Sequence, residues 1–242
     1  MTDLELAHAI AETAGKILLA LQGSGLFAGK ALGKEGDYVA NAFIVAALRE
    51  NRPDDAVLSE EEQDHAERLE AERVWIVDPL DGTREYGEGR ADWAVHIGLA
   101  IAGRAVLGAV ALPGLGEVLT STPRPLPSLA VPPRMLVSRT RPAQEALDVA
   151  QALGASLVPM GSAGAKAMAV VRGEAEIYLH TGGQYEWDNC APAAVAQAAG
   201  LHVSRVDGRP LSYNAADPYL PDLLICQPQL APRILALLKD CL

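Results

Sequence analysis

Apolar residues recur at helical spacing near the start of the chain. Ile10, Ala14, Ile17, Leu18 and Leu21 fall on one face, which predicts an amphipathic helix over 3–22 ending near Gly23. Residues 23–36 are rich in glycine and read as a connection. Val39, Phe43 and Ala47, with Ile44 and Leu48 beside them, mark a second helix that stops before Pro53. Val57-Leu58 leads as a short strand into Ser59-Glu60-Glu61-Glu62. Val74-Trp75-Ile76-Val77 reads as a buried strand, broken at Asp78-Pro79 because proline has no N–H for a ladder. Apolar residues at 93, 95, 97, 99 and 101 alternate as in a strand; Val106, Gly108 and Val110 form its hairpin partner and Val118-Leu119 a third strand. Two helices followed by a mostly antiparallel sheet is the reading of this half.

Pro123, Pro125, Pro127, Pro132 and Pro133 crowd residues 123–134, the best candidate for a connection. It divides an N-terminal half, 1–122, from a C-terminal half, 135–242, in which strands and helices alternate. Strands are expected at 135–137, 156–159, 177–179 and 223–225, and helices at 142–153, 163–172, 187–199 and 230–240. Residues 203–211 read as a hairpin about Asp207-Gly208. Two layered α and β halves follow, with a ligand most naturally in the crevice between them.

Half of the 242 residues are apolar, enough for a sizeable core, and the net charge is −11. That balance argues against a partner that is a nucleic-acid polymer, whose binding rests on clustered Lys and Arg. Cys190, Cys226 and Cys241 have neither disulfide-framework nor zinc spacing and read as reduced thiols. Asp3 and Glu5 precede the first apolar residues, the reverse of a signal peptide, and no 18-residue apolar run exists. A cytoplasmic protein without a membrane partner is therefore expected. The five histidines, His8, His65, His96, His180 and His202, lack ligand spacing and read as structural or surface residues.

Chemistry concentrates after the strand at 74–77. Asp78 and Asp81 follow it, with Gly82-Thr83 directly behind. Hard divalent cations such as Mg²⁺ take oxygen ligands, and two aspartates at a strand end supply them from a rigid base. Gly82 lets backbone approach a ligand, and N–H groups there can hold phosphate if a helix begins. Asp-Pro and Asp-Gly are also ordinary turn chemistry. A covalent aspartyl-phosphate route of the D-x-D-G-T kind is excluded, because Pro79 stands where its nucleophile would be.

Ser59-Glu60-Glu61, then Asp78-Pro79-Leu80-Asp81-Gly82-Thr83, then Trp187-Asp188 resemble, in order, the signatures of the inositol monophosphatase superfamily of metal-dependent phosphatases. Gly161-Ser162 with Lys166, ahead of Gly173-Glu174-Ala175-Glu176-Ile177-Tyr178, is similar to its second-half pattern. The resemblance implies an α/β (α+β) fold, a layered αβαβα sandwich of the inositol monophosphatase/fructose-1,6-bisphosphatase type. It implies metal ligands at Glu60, Asp78, Asp81 and Asp188 and the carbonyl of Leu80. Glu60, Asp81, Thr83 and Asp37 become the catalytic positions, with Thr83 and a carboxylate orienting water and the Gly82 and Thr83 N–H groups holding phosphate.

Arg84-Glu85-Tyr86 resembles the run found in the CysQ-type 3′-phosphoadenosine 5′-phosphate phosphatases of that superfamily, where other members carry Asn-Phe. Arg84, Ser138, Arg139 and Arg141, together with Gly161, Ser162 and Lys166, are then expected to contact substrate; Glu186, in Gln184-Tyr185-Glu186-Trp187-Asp188, is expected at a sugar hydroxyl. The implied activity is removal of the 3′-phosphate from adenosine 3′,5′-bisphosphate, a by-product of sulfate assimilation, with lithium sensitivity. Inositol-1-phosphate or fructose-1,6-bisphosphate are the alternative substrates, and a silent metal- or nucleotide-binding protein is the alternative of another class. One departure stands out. Gly36-Asp37-Tyr38-Val39-Ala40-Asn41 replaces a Val-Thr-x-x-Asp element, so Asn41 cannot be an anionic ligand. Two Mg²⁺ are implied, and a third only if Asp37 substitutes. The resemblance leaves room for a homodimer.

Overall fold

The computed structural model describes residues 1–239, so Cys241 and residue 240 of the expected last helix lie outside the described residues. Two long helices open the chain, α1 (Asp3–Gly23) and α2 (Gly29–Asn51). A capping box starts α1: the Glu5 N–H donates to the Thr2 hydroxyl at 3.2 Å, and the Thr2 N–H donates to Glu5 at 2.8 Å. The expected connection over 23–36 is mostly helix, because α2 takes in residues 29–36. Its glycines serve close packing instead of looseness. A Cβ at Gly33 would lie 2.6 Å from Thr83 Cγ2, and one at Gly36 2.8 Å from Tyr86 Cε1.

Next come β1 (Ala56–Ser59), β2 (Arg73–Asp81), α3 (Thr83–Gly87), β3 (Ala94–Ile101), β4 (Arg104–Leu112) and β5 (Glu117–Thr120). The strands form one sheet in sequence order, antiparallel except for the parallel β1–β2 pair. The break expected at Asp78-Pro79 does not occur. β2 continues to Asp81, and its register with β3 shifts between Asp78 and Asp81. β1 reaches only Val77, so Pro79 falls at a bulge where its missing N–H costs no ladder bond.

Residues 121–133 carry neither helix nor strand and lead to the second sheet. There follow β6 (Arg134–Ser138), α4 (Gln144–Leu153), β7 (Ser156–Met160), α5 (Ala163–Val171), β8 (Ile177–His180), β9 (Gln184–Tyr185), α6 (Glu186–Ala198), β10 (His202–Ser204), β11 (Tyr219–Leu220), β12 (Leu223–Cys226) and α7 (Ala231–Lys239). The sheet order is β10-β12-β8-β6-β7, and β9 with β11 makes a separate two-stranded ribbon. The hairpin expected at 203–211 has only its first arm. Residues 205–209 do turn, with the Arg205 N–H donating to the Arg209 carbonyl at 2.8 Å, but β10 pairs with β12. Pro210 has no N–H with which to continue a second arm.

Five layers result. α1 and α2 cover one face of the first sheet, with Leu18, Ile44 and Leu48 packed among Trp75, Val77 and Ile97. α5 and α6 lie between the sheets, where Met168, Val170 and Val195 meet Val110 and Ile225. α4 and α7 close the far face of the second sheet, with Val149 and Ile234 against Val137 and Leu224. α6 sits flush on the first sheet because β3 and β4 offer glycines beneath it: a Cβ at Gly98 would lie 2.9 Å from the Ala191 nitrogen. Among the described residues no helix is long and apolar enough to cross a membrane.

Candidate active site

β2 carries Asp78 and Asp81 to its C-terminal end, and α6 brings Asp188 onto them from its first turn. One carboxylate oxygen from each of the three lies within 4.8 Å of the others. Each is partly fixed: the Leu80 N–H donates to Asp78 at 3.0 Å, and the Tyr185 N–H donates to Asp188 at 2.7 Å. Burial, then the charges of Glu60, Asp81 and Asp188, pushes the Asp78 carboxyl well above its ordinary range. Burial and then Asp81 push Asp188 up to about 6. Glu60, with an exposed face just after β1, stands outside the tight triad yet feels it: burial of its carboxyl, then Asp188, Asp81, Glu61 and Asp37, raises it to about 7.

Asp81 behaves differently. Burial opposes its charge, but His96, Ser162 and Gly164 outweigh that and hold its pKa down at about 2. The Ser162 hydroxyl and the Gly164 N–H (2.6 Å) donate to Oδ2, the Ala163 N–H (3.1 Å) donates to Oδ1, and His96 Nε2 lies 3.2 Å from Oδ2. A helix N-terminus with free N–H groups favours an anion for just this reason. Ser162, at φ 52°, adopts a left-handed conformation rare outside glycine so that its side chain can cap α5 and meet Asp81 together. His96 is fully buried, its Nδ1 3.0 Å from the Trp187 carbonyl, so it touches β2's aspartate, the start of α5 and the residue before Asp188.

Asp37 and Thr83 form a second polar pair beside the triad. The Thr83 hydroxyl lies 3.3 Å from Asp37 Oδ1 and 3.1 Å from the Leu80 carbonyl. Burial and then Glu61 lift Asp37 to about 7, with Thr83 pulling the other way. Gly82, at φ 93°, makes the left-handed turn that lets α3 start at Thr83, leaving the first N–H groups of α3 without intrahelical acceptors. Asn41 is used elsewhere, donating to Glu62 and accepting from Ser59, each at 2.8 Å.

A cavity of about 280 Å³ opens here, lined by Gly82, Thr83, Arg84, Ser138, Arg139, Arg141, Gly161, Ser162 and Lys166 among others. The cations on it differ. Arg139 is already paired with Glu85 and Glu88, each at 2.9 Å, and ties β6 to α3. Lys166 is buried, its Nζ 2.5 Å from the Ser162 carbonyl and 5.2 Å from the Tyr178 ring centroid. Arg84 and Arg141 are exposed and in no ion pair among the described residues. The expectation that Glu186 meets a sugar hydroxyl is corrected: it is fully buried, accepting the Asn214 N–H at 2.7 Å and the Ala215 N–H at 2.8 Å. A carboxylate so committed pins a loop. His96, read as structural or surface from the sequence, lies against Asp81 and the Trp187 carbonyl; β3 is buried on both faces, so alternation did not place it. Tyr185 was likewise no candidate, although it precedes Asp188 by three.

Three carboxylates this close, two buried and one half-buried, repel one another unless positive charge joins them. An all-oxygen donor set at such spacing suits a hard divalent cation. The residues present therefore fit a metal site.

Fold and site together define the class: the chain belongs to the inositol monophosphatase family, whose model matches residues 9–242. The family is metal-dependent, and the Asp78–Asp81–Asp188 cluster is where a cation could bind. Among its relatives, the 3′-phosphoadenosine 5′-phosphate phosphatase of Mycobacterium leprae is 46% identical over 259 aligned residues, covering 99% of this chain and 94% of the relative. The protein of that name from Mycobacterium bovis is 48% identical over 94% of this chain and 90% of its own. Among solved structures, CysQ from Bacteroides thetaiotaomicron superposes with a TM-score of 0.82 at 26% identity, covering 93% of this chain and 97% of its own. Inositol monophosphatase from Anabaena shares the fold, with a TM-score of 0.78 at 21% identity over 98% of this chain and 94% of its own.

Proposed function

We propose that this chain is a Mg²⁺-dependent phosphomonoesterase that converts adenosine 3′,5′-bisphosphate to AMP and phosphate. The observation that carries the reading is the aspartate triad beside a cavity with two arginines in no ion pair among the described residues, in a chain nearly half identical to phosphatases named for that substrate. Glu60, Asp78, the Leu80 carbonyl, Asp81 and Asp188 would hold the metal, two ions in the simplest case. Such ions, when bound, would neutralise phosphoryl charge and acidify the attacking water.

The chain's own groups do the rest. The N–H groups of Gly82 and Thr83 hold the phosphoryl oxygens. The Thr83 hydroxyl donates to the Leu80 carbonyl or to Asp37, leaving its oxygen to accept a hydrogen bond from the attacking water. Asp37, whose carboxylate faces the Thr83 hydroxyl at 3.3 Å, is placed to take that water's proton. Water adds to phosphorus, the bond to the 3′-oxygen breaks in line, and that oxygen leaves with a proton from solvent. Arg84 and Arg141 would meet the 5′-phosphate, while Arg139 braces the pocket through Glu85 and Glu88.

Phosphate release from adenosine 3′,5′-bisphosphate, inositol-1-phosphate and fructose-1,6-bisphosphate, with and without Mg²⁺, tests the reading. Metal-dependent release fastest from the nucleotide is expected. Equal or faster hydrolysis of either alternative would refute the nucleotide preference, and tight nucleotide binding with no phosphate released would favour a silent protein.

A further inference from the structure

Half-exposed aromatic side chains are costly to leave in water, and three aromatics meet beside the acidic triad. Tyr185 lies flat on Trp187, ring centroids 4.8 Å apart and planes 8° from parallel. Tyr219 meets Tyr185 edge to face at 5.9 Å and 80°. The β9–β11 ribbon sets Tyr185 directly opposite Tyr219 in register. The Glu186 N–H donates to the Pro218 carbonyl at 2.8 Å, and the Gly183 N–H to the Pro221 carbonyl at 3.1 Å, so the pair is held by main chain on both sides. Yet Tyr185 is 45% and Tyr219 48% exposed.

Two contacts tie this cluster to the site. The Tyr185 N–H donates to the Asp188 carboxylate at 2.7 Å. On the other side, His180 Nε2 lies 2.9 Å from the carbonyl of Gly183, and a Cβ at Gly183 would press into the Tyr219 ring. Gln184, next to Tyr185, donates to the Tyr178 hydroxyl at 2.9 Å, and Lys166 of the cavity wall lies 5.2 Å from the Tyr178 ring centroid. The aromatics therefore sit beside Asp188, joined through Gln184 and Tyr178 to Lys166 of the cavity wall. Asp37 and Thr83 occupy the α2–α3 side of the cluster, where the water is held. In-line displacement sends the leaving group the other way, toward the half that carries α6.

We infer that Tyr185, Trp187 and Tyr219 form a stacking platform for the purine base of the leaving nucleotide; the inference rests on the nucleotidase reading above. Every base presents a π-face, and an aromatic partner contributes binding without needing hydrogen-bond readout. The 5′-phosphate then falls to Arg141, and the 3′-phosphate to the triad.

The test compares adenosine 3′,5′-bisphosphate with ribose 3,5-bisphosphate, which lacks only the base, in wild type, Tyr185→Ser, Tyr219→Ser and the rescue Tyr219→Phe. The ratio of kcat/KM between the two substrates should fall about tenfold in each serine variant, mostly through KM, and return with phenylalanine. AMP should quench the fluorescence of Trp187, since Trp75 and Trp93 are fully buried, and Tyr185→Ser should weaken that binding. A melting temperature that drops while the ratio and the quenching stay at wild-type values would overturn the platform and leave a ribbon held by cross-strand packing. A wild type that cleaves ribose 3,5-bisphosphate as fast as the nucleotide overturns the nucleotidase reading itself; a wild-type preference that survives both serine variants overturns the platform alone.

Discussion

Gly164→Ala separates ordinary helix energetics from the demands of this site. Near the start of α5, alanine should help: the replacement removes backbone freedom from the unfolded chain, worth about 0.5–1 kcal/mol in a helix. Here the new Cβ would overlap His96 Nε2 and lie 2.8 Å from Cε1. The ring has nowhere to go, being fully buried, held at the Trp187 carbonyl 3.0 Å away and facing Asp81. Overpacking of this kind costs about 1–3 kcal/mol. If α5 withdraws instead, the Gly164 N–H loses its 2.6 Å bond to a buried carboxylate, about 1.5–3 kcal/mol for a charge-assisted bond. Either route exceeds the helical gain, so a net loss of roughly 1–2 kcal/mol is expected, a fall of some 2–8 °C in Tm for a chain of this length. Activity should fall further, about 10–100-fold, because the donors that orient Asp81 move. Urea unfolding and phosphate release read the two effects. His96→Ser opens the space, and in the double variant stability should return toward that of His96→Ser, a coupling of about 1 kcal/mol or more. A Gly164→Ala protein as stable as wild type and fully active would refute the clasp about Asp81.

Asp78→Asn should abolish Mg²⁺-dependent turnover while the metal-free protein stays folded or gains stability, since the amide oxygen can keep the Leu80 N–H and one repelling charge disappears; circular dichroism beside the phosphate assay checks both halves. The metal-free protein should lose stability as pH rises from about 4 to about 7. Glu60 and Asp37 have folded pKa values raised to about 7 and Asp188 to about 6, so the folded state binds more protons than the unfolded one in that window. Added Mg²⁺ should flatten the loss in thermal melts, and a metal-free stability that climbs across the window would contradict the assignment. Arg141→Ala should raise KM for the bisphosphate several-fold, more at low salt, with little change for 3′-AMP, because an exposed cation acts on the second phosphate through a screened field. Arg139→Ala should lower turnover on both, because it releases Glu85 and Glu88; a loss confined to the bisphosphate would give Arg139 the reading role.

What could be read from the chain divides along physical lines. Strand and helix positions came through well where periodicity was long, as in α1 and β3. The triad came through because its residues sit in short runs whose chemistry is local: Asp78 and Asp81 share one strand end, and Asp188 caps one helix. Errors arose where tertiary contact reverses a local rule. Glycines at 33 and 36 look like loop until α3 packs on them. Pro79 looks like a strand break until the neighbouring strand proves too short to need its N–H. His96 falls on the polar phase of an alternating strand, which implies solvent unless a second helical layer covers that face. Glu186 beside Asp188 looks like part of the site, but α6 turns it toward residues 214–215. Arg139 looks free until α3 supplies two carboxylates.

Those buried contacts also explain why the acids can be tolerated at all. A site with several carboxylates in an apolar setting is a local conflict, of the kind natural sequences keep only where function needs it. The fold resolves it for one member: α5, Ser162 and His96 turn every nearby donor toward Asp81 and keep it charged. Asp78 and Asp188 each receive a single backbone N–H, and both are driven toward their neutral forms. Had the protein been selected for stability alone, either could have been a neutral residue of similar size. Leaving two carboxylates under-satisfied beside a satisfied third creates a standing demand for positive charge from outside, and a divalent cation would meet it at the point where a phosphate would also arrive.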